Sequence, residues 1–112
     1  MPSRPRTAFQ LDPEQMRAHA GAASRMLRTL GNDNRLMILC LLAQGERSVG
    51  QLNERLDLSQ SALSQHLAVL RHEGLVDTRR DAQTIYYALA AGPAERIIQT
   101  LHDIYCGSQI AC

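Results

Sequence analysis

The sequence predicts a mainly α-helical fold carrying one small β-hairpin, in the order four helices, two strands and a fifth helix. Three observations predict it. Apolar residues recur at spacings of three and four over most of the chain. Ser, Asp, Asn and Gly stand where those periodic stretches start and stop. The one stretch rich in β-branched and aromatic residues is split by a short polar turn.

Each element follows from its residues. "MPSRPRTAFQL" holds two prolines and two arginines and reads as a mobile arm over 1–11. Asp12 then supplies an N-cap and Pro13 the first helical position, and the first helix runs to about Leu30, where Gly31 stops it. Asn32 or Asp33 caps the second helix. Its "RLMILCLLAQ" is apolar nearly all round, the pattern of a helix buried on most sides, and Gly45 ends it. Ser48 caps a short third helix, "VGQLNERLD", with Val49, Leu52 and Leu56 at helical spacing, and Ser59 caps a fourth over "SQSALSQHLAVLRH". Joined by "DLS", these two make a helix-turn-helix. After Gly74, "LVDTRR" and "TIYYAL" are two strands separated by "DAQ", with Gln83 in the turn. Gly92-Pro93 opens the last helix, whose Ile97, Ile98, Leu101, Ile104 and Tyr105 share a face, and Cys106 follows directly. One domain over 12–106 with a flexible tail over 107–112 is the expected organisation.

Composition bounds the function. At 112 residues and 45% hydrophobic content the chain suits a single globular domain. No apolar run reaches the roughly 20 residues that span a bilayer. "MPSRPRTAFQLDPEQ" lacks the apolar core of a secretory signal, so a cytoplasmic protein without membrane contact is expected. Three cysteines, an odd number in such a chain, do not form a structural disulfide framework; a bridge here is a switched one. The net charge of +1 excludes a uniformly basic nucleic-acid binder but leaves the distribution of charge open. All twelve cationic residues are Arg.

The fourth helix has two unlike sides. At 100° per residue, Leu63, Leu67 and Leu70 lie within about 60° of one another, and Ser61, Ser64, Gln65, Ala68 and His72 cluster opposite. Short hydroxyls and an amide, in place of the charged mixture of a merely solvated face, suit a helix lying in a DNA major groove. Carboxylates would repel phosphate there, and Ser and Gln exchange hydrogen bonds with base edges. His66 falls nearer the apolar side and reads as a partly buried residue that orients its neighbours. A ribbon following a helix-turn-helix makes a winged helix, and Arg79 and Arg80 at the end of its first strand would reach phosphates or the minor groove. The expected DNA-contacting set is Ser59, Gln60, Ser61, Ser64, Gln65, His66, Arg79, Arg80 and Gln83.

The stretch "LGNDNRLMILCLLAQGERSVGQLNERLDLSQSALSQHLAVLRHEGLVDTRRDAQTIYYAL" resembles the winged-helix repressors of the ArsR/SmtB family from their second helix through their wing. The resemblance implies a homodimer whose interface is built from the first and last helices, with one recognition helix in each half of an inverted-repeat, double-stranded operator. It implies no enzyme activity. The metal-sensing sites of that family are incomplete here. Gln51, Leu52 and Asn53 stand where thiolates would be required, and His102 and Cys106, one turn apart, do not close a tetrahedral zinc site. No metal and no cofactor are therefore expected. The placement of Cys40 and Cys106 is similar to that in the branch that senses persulfides and reactive sulfur, the BigR/SqrR-like and HlyU-like regulators. That likeness implies Cys40 and Cys106 as paired sensing thiols, bridged by reactive sulfur species as inducer, with Cys112 flexible and dispensable. The alternatives are a metal- or arsenic-responsive repressor using Cys106 and His102, and an antirepressor. A thiol oxidoreductase is disfavoured by the lack of Cys-x-x-Cys. A winged helix used only for protein contacts is disfavoured by the Ser/Gln stripe.

Overall fold

A computed structural model describes residues 10–107; the N-terminal arm up to residue 9, the tail beyond 107 and Cys112 lie outside the described residues. In chain order the elements are α1 (Pro13–Leu30), α2 (Asp33–Ala43), β1 (Arg47–Ser48), α3 (Val49–Arg55), α4 (Gln60–His72), β2 (Val76–Asp81), β3 (Thr84–Leu89) and α5 (Pro93–Cys106). The arrangement is a winged helix-turn-helix.

Local chemistry sets the helix ends. The Asp12 side chain accepts from the Glu14 N–H at 2.9 Å at the start of α1. At its other end Arg35 donates to the Thr29 carbonyl at 2.7 Å and to the Arg28 carbonyl at 3.4 Å. A cation there answers the exposed carbonyls and the negative end of the helix dipole. Of the two candidate caps for α2, Asn32 is the one used, its side chain accepting from the Asn34 and Arg35 N–H groups at 3.0 and 3.1 Å. Ser48 and Gln51 form a reciprocal capping box at the start of α3, with bonds of 3.2 and 2.9 Å. Between α3 and α4 the Asn53 amide donates to the Leu58 carbonyl at 2.9 Å, and the Ser59 hydroxyl accepts from the Ala62 N–H at 3.1 Å. These two bonds fix the turn of the helix-turn-helix.

The core is leucine-rich. Ile38, Leu39, Leu41 and Leu42 of α2 pack with Leu52, Leu63, Leu67 and Leu70, and with Leu75, Val76, Ala94 and Ile98. The apolar stripe expected on α4 is therefore the buried one. Truncating any fully buried leucine of this set would cost about 2–5 kcal/mol.

The sheet differs from the expected two-stranded hairpin. It has three antiparallel strands in the order β1-β3-β2, with Arg47 opposite Tyr87 and Ser48 opposite Tyr86. A strand of two residues is too short to show alternation, so only its pairing with β3 defines it. The hairpin turn is also tighter than "DAQ". Asp81 pairs with Thr84, leaving Ala82 and Gln83 as a two-residue turn in which Ala82 takes φ +58°.

Two helices are poorly covered. α1 is exposed from Pro13 through Arg25, and Leu11, Met16 and Leu27 on or beside it, with Ile104 and Tyr105 of α5, are exposed apolar side chains. The radius of gyration is 17.0 Å, against about 13 Å for a compact domain of this size.

Candidate functional site

The outward side of α4 is a row built by helical spacing. Ser61, Ser64, Gln65 and Ala68 are exposed, and the row continues to Arg71 and His72 in the last turn. Opposite them Leu63, Leu67 and Leu70 are 0–1% exposed, which locks the rotation of the helix about its axis. Ser59 is exposed at the N-cap, and its hydroxyl is occupied by the Ala62 N–H and lies 3.4 Å from the Ser61 hydroxyl. Gln60 is exposed in the first turn, and His66 is half-buried.

The wing meets this helix through Tyr87. A concave surface of about 450 Å³ is lined by Ser64, Ala68, Arg71 and His72 of α4 and by Tyr87 of β3. Sequence reasoning did not single out Arg71 or Tyr87. The signal for Arg71 was present, seven positions after Ser64 on the same face. Tyr87 had none, because its neighbours on α4 are set by the sheet register.

The two wing arginines are in different situations. Arg79 donates to both carboxylate oxygens of Glu46, at 2.8 and 2.7 Å, and its guanidinium lies 4.6 Å from the centre of the Tyr86 ring. Tyr86 is its cross-strand partner, so the stacking follows from register. The hydrogen bond from Arg79 holds the Glu46 carboxyl below the usual carboxylate range, and the same bond raises Arg79. Arg79 thus ties the wing to the loop before β1. Arg80, on the other face of β2, is exposed and makes no hydrogen bond or ion pair among the described residues, and Gln83 is exposed at the tip.

The cysteines sit elsewhere. Cys40 is half-buried on α2, carries a free thiol, and is pushed up in pKa by burial. It borders a cavity of about 360 Å³ with Ala43, Gln44 and Leu89 on one side and Glu95, Ile98, Gln99 and His102 of α5 on the other. Cys106 follows His102 by four residues, one helical turn. Cys106 is disulfide-bonded, and since Cys40 is free the two are not joined to each other in this structure. Among the described residues no three His, Cys, Asp or Glu side chains are grouped to hold a metal ion, His102 and Cys106 included. No helix among them is long and apolar enough to cross a membrane.

Residues 32–78 match the family described as "Bacterial regulatory protein, arsR family". The chain is 48% identical over 93 residues to the transcriptional activator HlyU of Vibrio cholerae, covering 83% of this chain and 86% of that protein. The crystal structure of the transcriptional repressor BigR from Xylella fastidiosa is similar with a TM-score of 0.80 at 38% identity, covering 86% of this chain and 98% of that one. The homodimeric winged helix-turn-helix DNA-binding domain of a Mycobacterium bovis protein is similar with a TM-score of 0.71 at 30% identity, covering 92% and 94%. These relatives are regulators of transcription and not enzymes.

Proposed function

The chain belongs to the ArsR family of bacterial regulatory proteins, a DNA-binding transcriptional regulator of the HlyU and BigR type, and we propose that it is a cytoplasmic, dimeric repressor that releases an inverted-repeat operator when Cys40 and Cys106 are bridged. The observation that carries the DNA-binding part is the uncharged outward row Ser61, Ser64, Gln65 and Ala68, ending in Arg71 and His72, on a helix whose other side is buried. Such a row admits a helix to the major groove, where Gln reads adenine through two hydrogen bonds and Arg and His at the end reach phosphate. Ser59, Gln60 and His66 support the first turn and orientation of this helix. Arg80 and Gln83 are the wing's contacts with the DNA backbone, and Arg79 holds the wing in place through Glu46.

The exposed apolar residues of α1 and α5 support dimerisation through those helices. The accessible surface is 8621 Å², and a compact monomer of 12.4 kDa exposes about 6100 Å². The homodimeric relative assembles as two winged helices. In the dimer one α4 enters each half-site, at a separation near 34 Å, one DNA turn.

The cavity between Cys40 and the α5 residues that precede Cys106 supports the thiol switch, because it gives sulfur chains room between α2 and α5. Reactive sulfur species act as the oxidant, sulfur is inserted between the two thiols, and both thiol hydrogens are lost. A bridge of several sulfurs spans thiols whose Cα atoms are farther apart than the about 7 Å limit of a disulfide.

Gel shifts and intact mass test both parts. Gln65→Ala should lose about 1–3 kcal/mol of specific affinity with non-specific binding retained, whereas Arg80→Ala should weaken all sequences alike and flatten the salt dependence. Unchanged operator discrimination in Gln65→Ala would reject this reading face. On fully reduced protein, persulfide should add sulfur within one subunit and release the operator. Release retained in Cys106→Ser would reject the two-thiol switch.

A further inference from the structure

α1 is joined to the recognition helix by an ion pair across an open cleft. The Arg25 Nε and Nη2 groups donate to the two carboxylate oxygens of Glu73 at 2.7 and 2.9 Å, a parallel two-bond fork between residues 48 positions apart. Among the described residues these are the side-chain hydrogen bonds that connect α1 to α4. Glu73 is the C-cap of α4, where the helix dipole presents its negative end and a carboxylate is disfavoured. Local helix physics therefore does not explain an acid there; Arg25 does. The Glu73 side chain is only 16% exposed beneath Arg25, and the Arg25 hydrogen bond holds its carboxyl below the usual range.

Beside the pair the two helices do not close-pack. A cleft of about 580 Å³ separates Gly21, Ala22 and Met26 on the α1 side from His72 and Leu75 on the α4 side. A side-chain carbon added at Gly21 would meet nothing within 4 Å. With no interlocking side chains in the cleft, the angle between α1 and α4 is held by the ionic strut.

We propose that Arg25 and Glu73 are positioning residues that set the operator half-site spacing this protein accepts. The proposal rests on the dimer through α1 described above. With α1 at the dimer axis, the strut determines how far each α4 stands from its partner, and releasing it lets the two helices serve several separations. A pair that only stabilised the fold would weaken binding to every spacing alike.

The test uses the full-length dimer and a half-site selected from random DNA by the wild-type protein. Binding is measured to a single half-site and to inverted repeats whose spacer changes one base pair at a time. Wild type should lose at least about fivefold in affinity one base pair from the optimum. Arg25→Gln and Glu73→Gln should each flatten that profile to under about twofold while keeping single-half-site affinity, and the exchange R25E/E73R should sharpen it again. Arg25 is 59% exposed, so its glutamine variant keeps the folded domain, and the single half-site reports this directly. A sharp wild-type profile that stays sharp in both single variants, a uniform loss that includes the single half-site, or a flattened profile that the exchange does not sharpen overturns the proposal. A wild-type profile with no spacing preference rejects the two-half-site reading itself, and the proposal with it.

Discussion

The Leu75 N–H donates to the Leu70 carbonyl at 2.9 Å, five residues back across the end of the recognition helix, while the two side chains are both buried at 5% and 0% exposure. Between them the Gly74 N–H donates to the Arg71 carbonyl at 3.0 Å, with Gly74 at φ +76°. This is a Schellman ending with its apolar contact. It reverses the chain from α4 into β2, so one left-handed residue sets the angle between recognition helix and wing.

Gly74→Ala should therefore destabilise the protein by about 1–2 kcal/mol. A side-chain carbon at Gly74 meets nothing within 4 Å, so the cost lies in the backbone and not in a clash. Gly74→Asn, whose side chain tolerates the left-handed region, should lose less. Urea unfolding of the three proteins measures this; an alanine variant as stable as wild type would show that the ending relaxes without strain.

The Glu46–Arg79 and Glu73–Arg25 pairs give a pH dependence with a definite sign. Each carboxyl is held below its ordinary value, chiefly by the hydrogen bond from its arginine. A depressed folded value means stability that is present above the unfolded value near 4.3 and is lost as pH falls through the folded one. Thermal unfolding midpoints recorded from pH 6 to about 3 should fall more steeply for wild type than for the double variant Glu46→Gln/Glu73→Gln. Both arginines are more than half exposed, so the difference should be modest and should shrink in high salt. Parallel curves would remove the pairs from the acid response.

Cys40 should be a slow nucleophile at neutral pH. Burial raises its thiol above the ordinary range, so little thiolate is present at pH 7. Alkylation of reduced Cys106→Ser/Cys112→Ser protein by iodoacetamide should be slow at pH 7 and accelerate as pH climbs past about 8.5, the ordinary thiol value. It should lag behind a free cysteine at every pH in between. Rapid alkylation at pH 7 would contradict the burial of this thiol and assign it the thiolate character of an attacking group.

Much of the architecture was legible in residues alone, because the forces that set it are local or periodic. Asp12, Ser48 and Ser59 each cap through a bond to an N–H two or three residues on, and Leu63, Leu67 and Leu70 face one way because 3.6 residues make a turn. The outward row of Ser61, Ser64 and Gln65 followed from the same geometry. What the sequence could not determine depends on contacts between residues far apart along the chain. β1 exists only through pairing with Tyr86 and Tyr87, some 39 positions on, so no propensity of two residues could announce it. Arg79 and Arg80 are indistinguishable by type and nearly by position. Alternation along β2 turns one toward Glu46 and Tyr86 and leaves the other exposed, and Glu46 lies 33 residues away. Arg25 and Glu73 likewise read as surface charges on separate helices until packing of α1 against the body brings them to 2.7 Å. Periodicity determines which side of an element is buried; only the tertiary structure, through long-range juxtaposition, decides which charges meet.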